Sequence, residues 1–263
     1  MEIVIVASAF GMNAVRADGH LKWAQAAKRA GAAGFEVRRE LFASEADAHP
    51  EQLRALGVEL GELGLWSVFS TPAELYTPDG RLDDGALRLA LDEAAALGAR
   101  FVKLQLGGFA GDAHGAAIAA HLAERAGRAQ RADGATARLV VENGQLARGG
   151  SPAQFFGLFD ALAREGRAGL LGMTFDIGNW AWLDVAPLEL APRLAPHVEY
   201  IHCKTAAGEG ARRFPVAPAA DDARFRAVLD SLPRDVPRGI EFPFDATRID
   251  QDAAHYVGWL AQV

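Results

Sequence analysis

The sequence predicts a single-domain α/β protein, a closed (β/α)8 barrel spanning residues 1–263. Short apolar runs alternate from end to end with longer, Ala-rich amphipathic stretches, the pattern of βαβ units feeding a parallel sheet. The apolar runs number eight, as closure of a parallel barrel requires. A length of 263 residues also suits this architecture, which folds as one unit at about 250 residues. A doubly wound open sheet is the main rival. It usually carries a glycine-rich phosphate loop after its first strand, and Ala7-Ser8-Ala9-Phe10-Gly11 does not make one.

In chain order, the predicted strands are residues 3–8, 34–38, 65–70, 101–106, 139–142, 173–176, 198–204 and 239–242. The first opens with Ile-Val-Ile-Val, and the later ones are likewise short apolar runs. Helices are expected at 20–30, 50–63, 83–97, 116–131, 152–164, 221–232 and 249–262. Pro50 and Pro152 fall in first helical turns, where the missing N–H costs nothing, and Ser151 is the expected N-cap of 152–164. Gly31, Gly64 and Gly98 sit just past helix ends, where a left-handed cap favours glycine. No linker or low-complexity segment divides the chain.

Half of the residues are hydrophobic and 23% are charged, an ordinary core-forming composition. The net charge of −7, with no basic run longer than Arg38-Arg39 or Arg212-Arg213, argues against a nucleic-acid partner. A lone cysteine, Cys203, excludes an internal disulfide and fits a reducing compartment. The N-terminus enters a strand at once, without the pattern of a signal peptide, and no stretch reaches the ~18 apolar residues of a membrane span. A cytoplasmic protein with no membrane partner is expected.

In such a barrel, reactive side chains come from the C-terminal ends of strands. Glu142 ends Arg-Leu-Val-Val-Glu, Asp176 ends Met-Thr-Phe-Asp, His202 and Lys204 share a face of Tyr-Ile-His-Cys-Lys, and Glu241 ends Arg-Gly-Ile-Glu. Four consecutive strands thus deliver Glu142, Asp176, His202 and Glu241 to one rim. Three carboxylates and an imidazole suit one divalent ion, Mn²⁺, Mg²⁺, Co²⁺ or Zn²⁺, which lets clustered carboxylates stay ionised. Glu36 and Arg38 share a face of the second strand, as do Lys103 and Gln105 on the fourth, and an internal ion-pair network is expected of them. Trp180 and Trp182 either wall the pocket or pack the next helix. His20, His49, His114, His121, His197 and His255 lie in or at the start of helices and are expected at the surface.

The segments Val-Val-Glu-Asn, Phe-Asp-Ile-Gly-Asn, Tyr-Ile-His-Cys-Lys and Gly-Ile-Glu-Phe-Pro resemble the xylose isomerase-like barrels, and the likeness spans nearly the whole chain. Members include sugar and sugar-phosphate isomerases, hydroxypyruvate isomerase, tagatose-type 3-epimerases, inosose-processing enzymes and endonuclease IV. The resemblance implies that Glu142, Asp176, His202 and Glu241 bind one metal, which chelates a carbonyl and adjacent hydroxyl of a small sugar or keto acid. Glu142 and Glu241 would be the catalytic acid and base around an enediolate. Lys204 would bind substrate or stabilise the enediolate, or pair with Asp176 or Glu241. Arg212 and Arg213 lie where several relatives place a substrate-contacting arginine, and either fits. Asn179 stands where tagatose-epimerase-like members carry a substrate-contacting histidine, a departure that weighs against free ketohexoses. Relatives are often dimers or tetramers, so a homo-oligomer is consistent with the resemblance.

These features favour a metal-dependent isomerase or epimerase of a small sugar, sugar phosphate or hydroxy-keto acid. A dehydratase of the dehydroshikimate or inosose kind would use the same metal and the same first proton. A non-catalytic sugar-binding barrel would usually have lost a ligand or a carboxylate. An endonuclease IV-type enzyme needs a zinc cluster with more strand-end histidines, and a basic groove.

Overall fold

The computed structural model describes residues 1–126 and 136–263. Its main strands are β1 (Ile3–Val6), β2 (Gly34–Arg38), β3 (Trp66–Tyr76), β4 (Phe101–Gly107), β5 (Arg138–Glu142), β6 (Gly172–Asp176), β7 (Val198–Cys203) and, after a short hairpin of β8 (Thr205–Ala207) and β9 (Phe214–Val216), β10 (Arg238–Ile240). Neighbours run β1-β10-β7-β6-β5-β4-β3-β2, closing the expected eight-stranded parallel barrel. Around it lie α1 (Met12–Asp18), α2 (His20–Arg29), α3 (Pro50–Glu62), α4 (Asp84–Leu97), α5 (Gly115–Ala126), the kinked turn α6 (Ala147–Gly150), α7 (Pro152–Arg164), α8 (Pro187–Leu194), α9 (Ala223–Asp230) and α10 (Ile249–Leu260). Among the described residues, no helix is long and apolar enough to cross a membrane.

The strands are continuous in hydrophobicity because both sheet faces are covered. Ile3, Ile5, Phe35, Val37, Val102 and Val141 pack outward into the core shared with the helices. Alternate residues point inward, and Val4, Val68, Phe101, Val140 and Tyr200 form a separate apolar cluster in the lumen. Phe101 stacks on Tyr200 at 6.1 Å between ring centroids, and Tyr200 meets His202 edge-on at 4.9 Å. The lumen is therefore filled in layers, apolar below and charged above, and the charged layer rests on Tyr200.

Most element boundaries agree with the sequence pattern to within two residues. The expected helix at 116–131 begins at Gly115 and is described to Ala126; residues 127–131 of that expectation lie outside the described residues. β3 runs well past residue 70, with a register shift between Ser70 and Glu74 around Pro72, which has no N–H for the ladder. α1, α8 and the hairpin were not expected, being too short to show a period. Ser151 does not cap α7 with its side chain; its hydroxyl donates to Gln154 Oε1 at 3.3 Å. Side-chain capping occurs at α4 and α9, where Asp83 accepts from Ala86 N–H and Asp222 from those of Arg224 and Phe225. Gly31, Gly64 and Gly98 do take positive φ, 88°, 67° and 70°. Trp180 is packing: it is fully buried, edge-on to Phe155 at 6.1 Å and tilted on Phe175 at 5.7 Å.

His20 corrects the expectation of a surface residue, being only 3% exposed at the start of α2. Its Nε2 accepts the Arg38 backbone N–H at 3.2 Å, which ties α2 to the end of β2 and requires a neutral ring. Burial pushes the imidazole down from 6.5 to about 4, and the charge of Asp47 offsets only part of that. Between those two values the unfolded chain binds a proton that the folded chain refuses, so stability falls as pH drops from 6.5 towards 4. The loss attributable to this ring reaches about 3 kcal/mol. Urea unfolding at pH 7 and pH 4.5 checks this: His20→Gln should flatten the difference, and an unchanged slope would remove His20 as its source.

Candidate metal centre

Each member of the site comes from a strand end, because consecutive residues of a strand alternate between helices and lumen. Glu142 and Asp176 close β5 and β6, His202 is the penultimate residue of β7, and Lys204 and Glu241 lie one residue past β7 and β10. The register pairs Asp176 with His202 and Glu142 with Gln105, which sets these groups at neighbouring heights. Glycine permits the close fit at β10. A Cβ on Gly239 would collide with the Tyr200 hydroxyl and lie 3.0 Å from His202 Cδ2.

The geometry centres on His202, which is fully buried. Its Nδ1 lies 2.8 Å from Glu142 Oε1, 3.0 Å from Glu241 Oε2 and 3.8 Å from Asp176 Oδ2. One N–H can serve only one of those oxygens. Its Nε2 lies 2.8 Å from Glu36 Oε2, a partner that keeps a proton on that nitrogen, so that Nδ1 is the nitrogen with a lone pair once the ring is neutral. Glu142 Oε1 and Asp176 Oδ2 are buried without a well-directed hydrogen bond. The four donor atoms lie within 4.8 Å of one another, a spread that one ion with bonds of about 2.1 Å spans after small shifts. The residues therefore fit one divalent cation bound by Glu142, Asp176, His202 and Glu241.

The surroundings are charged throughout. Lys204 Nζ meets Asp176 Oδ2 at 2.6 Å and Glu241 Oε2 at 2.5 Å, so it joins both of its expected partners. Arg38 Nη1 reaches Glu241 Oε1 at 2.6 Å and also pairs with Glu40. Lys103 Nζ bridges Glu142 Oε2 at 2.7 Å and Glu36 Oε1 at 3.1 Å, and Gln105 donates to Glu142 Oε2 at 2.8 Å. Glu36, Arg38, Lys103 and Gln105 thus form the expected internal network, and it surrounds the donor set directly. The carboxylates consequently have protein cations as partners: Lys204, whose pairing the sequence allowed, and Arg38 and Lys103, whose contacts with Glu241 and Glu142 strand-end spacing did not reveal.

Electrostatics follow from this crowding. Burial pushes Glu142 and Glu241 upward, but Lys103 and His202 for the first, and Lys204 and His202 for the second, bring both well below the usual carboxylate range. Glu36 is likewise opposed by burial and brought by Lys103 and His202 to about 2. Asp176 goes the other way, raised by burial despite Lys204. Burial and Lys103 push His202 down, yet Glu241, Glu36 and Glu142 raise it well above 6.5. The same carboxylates that draw a proton to this ring draw a metal ion.

The other candidate residues divide. Asn179 is buried, its Nδ2 donating to Asn143 O at 2.8 Å and its Oδ1 accepting from Gln145 at 3.1 Å. Arg213 donates to Ala181 O and pairs with Asp184 at 2.6 Å, latching the β8–β9 hairpin to the loop after β6, while Arg212 is exposed at the hairpin turn. Asn143 carries no role from the sequence pattern alone, yet its Oδ1 accepts from Asp176 N at 2.8 Å and its Nδ2 donates to Asp176 O at 3.0 Å, bracketing the backbone of the candidate site. The signal was present, an amide directly following the strand-end Glu142.

Fold and donor set together define a parallel barrel with a candidate mononuclear metal centre at its C-terminal rim. A family profile described as Xylose isomerase-like TIM barrel matches residues 24–260, and the chain belongs to that family. No curated relative matches the sequence. Among solved structures, it is similar to a D-allulose 3-epimerase from Methylomonas sp. (TM-score 0.66, 17% identity, 100% of this chain and 97% of that one). It is also similar to the probable 3-DHS dehydratase AsbF from Bacillus anthracis (TM-score 0.58, 14% identity, 98% and 99%). A third similar structure is a xylose isomerase-like TIM barrel/4-hydroxyphenylpyruvate dioxygenase fusion protein (TM-score 0.67, 17% identity), of which the match takes in 99% of this chain but only 42% of that one. At such identities the likeness is one of fold.

Two outcomes follow from the geometry. His202 Nδ1 cannot hold a proton and a metal ion together, so loading with Co²⁺ should release protons and tighten as pH rises. Calorimetry in two buffers of different ionisation heat checks this, and equal heats would exclude the release. Gly239→Ala should displace Tyr200 and His202, costing about 1–3 kcal/mol by overpacking and weakening metal uptake. Unfolding and Co²⁺ titration of that variant measure both.

Proposed function

We propose that this chain is a divalent-metal-dependent isomerase or epimerase of a small sugar, sugar phosphate or hydroxy-keto acid, with Glu142 and Glu241 as acid and base. The observation that carries this is the convergence of three carboxylate oxygens, from Glu142, Glu241 and Asp176, on the one imidazole nitrogen His202 Nδ1. A divalent ion bound there supplies Lewis acidity towards a substrate carbonyl and its neighbouring hydroxyl, which makes the adjacent C–H acidic.

The protein's own groups supply the rest. β7 and β6 lie between β10 and β5, so Glu241 and Glu142 approach the centre from separated arcs of the barrel. A proton taken from one face by one glutamate and supplied on the other face by the second gives epimerisation; a proton returned by the same glutamate to the neighbouring carbon gives isomerisation. Lys204, with its ammonium between Asp176 and Glu241, is assigned to stabilising negative charge on the substrate oxygen. Arg212 is assigned to a solvent-facing substrate group. Arg213 and Asn179 are assigned to holding the loops that frame the substrate.

A dehydratase is the second reading, and Lys204 favours it: its ammonium, 2.5 Å from Glu241 Oε2 and held protonated by Asp176 and Glu241, offers fixed positive charge beside a hydroxyl that leaves with the proton Glu241 has taken. The same experiment separates the two. Mg²⁺-loaded protein is incubated in D₂O with keto-sugars and hydroxy-keto acids and followed by NMR. Deuterium entering one carbon is expected; a product lacking one water assigns the dehydratase, and neither exchange nor a dehydrated product with metal bound overturns both. Glu142→Gln and Glu241→Gln should each lower turnover by about 10²–10⁴-fold with the fold intact by circular dichroism. A fully active variant would remove that glutamate from the reaction.

A further inference from the structure

Beneath the donor set, four side chains close a ring. His202 Nε2 meets Glu36 Oε2 at 2.8 Å, and Glu36 Oε1 meets Lys103 Nζ at 3.1 Å. Lys103 Nζ donates to Glu142 Oε2 at 2.7 Å, and Glu142 Oε1 returns to His202 Nδ1 at 2.8 Å. β2, β4, β5 and β7 contribute one member each, and every side chain in the ring is 4% exposed or less. Two members, His202 and Glu142, are metal-site residues. Lys103 is not a donor to a metal and, at 1% exposure, does not face the mouth.

Burying an ammonium is unfavourable until its partners offset the lost hydration, and a methionine would fill similar space without that penalty. The charge is spent in a particular place. With Glu142 Oε2 bound by Lys103 and Gln105, only Oε1 is directed at His202 Nδ1. On the other side, the Lys103 contact to Glu36 Oε1, together with Tyr200 OH donating to Glu36 Oε2 at 3.0 Å, fixes the carboxylate on which His202 Nε2 rests. One buried ammonium therefore controls two donors from different strands.

Resting on the metal-ligand reading above, we infer that Lys103 is a positioning residue. It makes Glu142 a one-oxygen donor and, through Glu36, sets the orientation of His202, so that Glu142 Oε1 and His202 Nδ1 are presented to the same ion. A lysine that only balanced charge would have the opposite signature. Its removal would take a positive charge away from a dication and strengthen metal binding.

Co²⁺ is the probe, titrated by calorimetry and by visible absorption, whose bands report coordination geometry. Lys103→Met should bind Co²⁺ about 10–100-fold more weakly and change the visible spectrum, as Oε2 of Glu142 becomes able to coordinate. Glu36→Gln, nearly isosteric, should weaken binding about tenfold, and the double variant should lose less than the product of the two, because both act through one ring. Should Lys103→Met fail to fold, the affinity and spectrum of Glu36→Gln decide alone. Unchanged affinity and spectrum, or tighter binding by Lys103→Met, overturns the inference. Wild-type protein that takes up no Co²⁺ overturns the metal reading itself, a result distinct from a loaded wild type whose variants match it.

Discussion

Four carboxylates, Glu36, Glu142, Asp176 and Glu241, stand inside a closed sheet, almost wholly removed from water. Left alone they would take up protons or open the barrel, since burial and mutual repulsion both disfavour their charged forms. Lys103, Lys204 and Arg38 meet them at 2.5–3.1 Å, and His202 lies between the two arms of the network. Four negative charges against three positive ones leave the set short of balance when the imidazole is neutral, and a cation at His202 Nδ1 is favoured for that reason. The donor arrangement and the charge balance are thus one constraint seen from two sides.

The barrel supplies what this constraint needs. Side chains from six different strands reach the same layer only because the sheet closes and its register holds Asp176 beside His202 and Gln105 beside Glu142. Below them, Val4, Val68, Phe101 and Val140 exclude water, which strengthens every charged contact above. Tyr200 joins the layers, its ring stacked on Phe101 and its hydroxyl on Glu36. The absence of a side chain on Gly239 is what lets that tyrosine and His202 occupy the lumen together.

The outer parts are arranged to hold loops rather than charges. Asn143 brackets Asp176, Asn179 ties the loop after β6 to the loop after β5, and Arg213 latches the hairpin after β7 to Asp184. Such loops can change while the strands that carry the candidate metal donors keep their register, so a fold of this kind accommodates variation outside the barrel's charged layer.

Residues with a strong local signature were legible in the sequence. The alternation of apolar runs with amphipathic stretches marked the barrel, and Glu142, Asp176, His202 and Glu241 stood out because a polar residue at the end of a buried strand is conspicuous. Short elements were not legible: α1, α8 and the hairpin are too brief to show a period, and nothing local marks His20 as buried. The pairing of Arg38 with Glu241, of Glu36 with His202 and of Lys103 with both Glu36 and Glu142 was decided by tertiary structure alone. These partners lie 39 to 203 residues apart for the hydrogen-bonded pairs, and only strand order and register determine which lumen-facing charges meet. Sequence determines which side chains face inward, because that depends on a period of two; which of them touch depends on closure of the whole sheet.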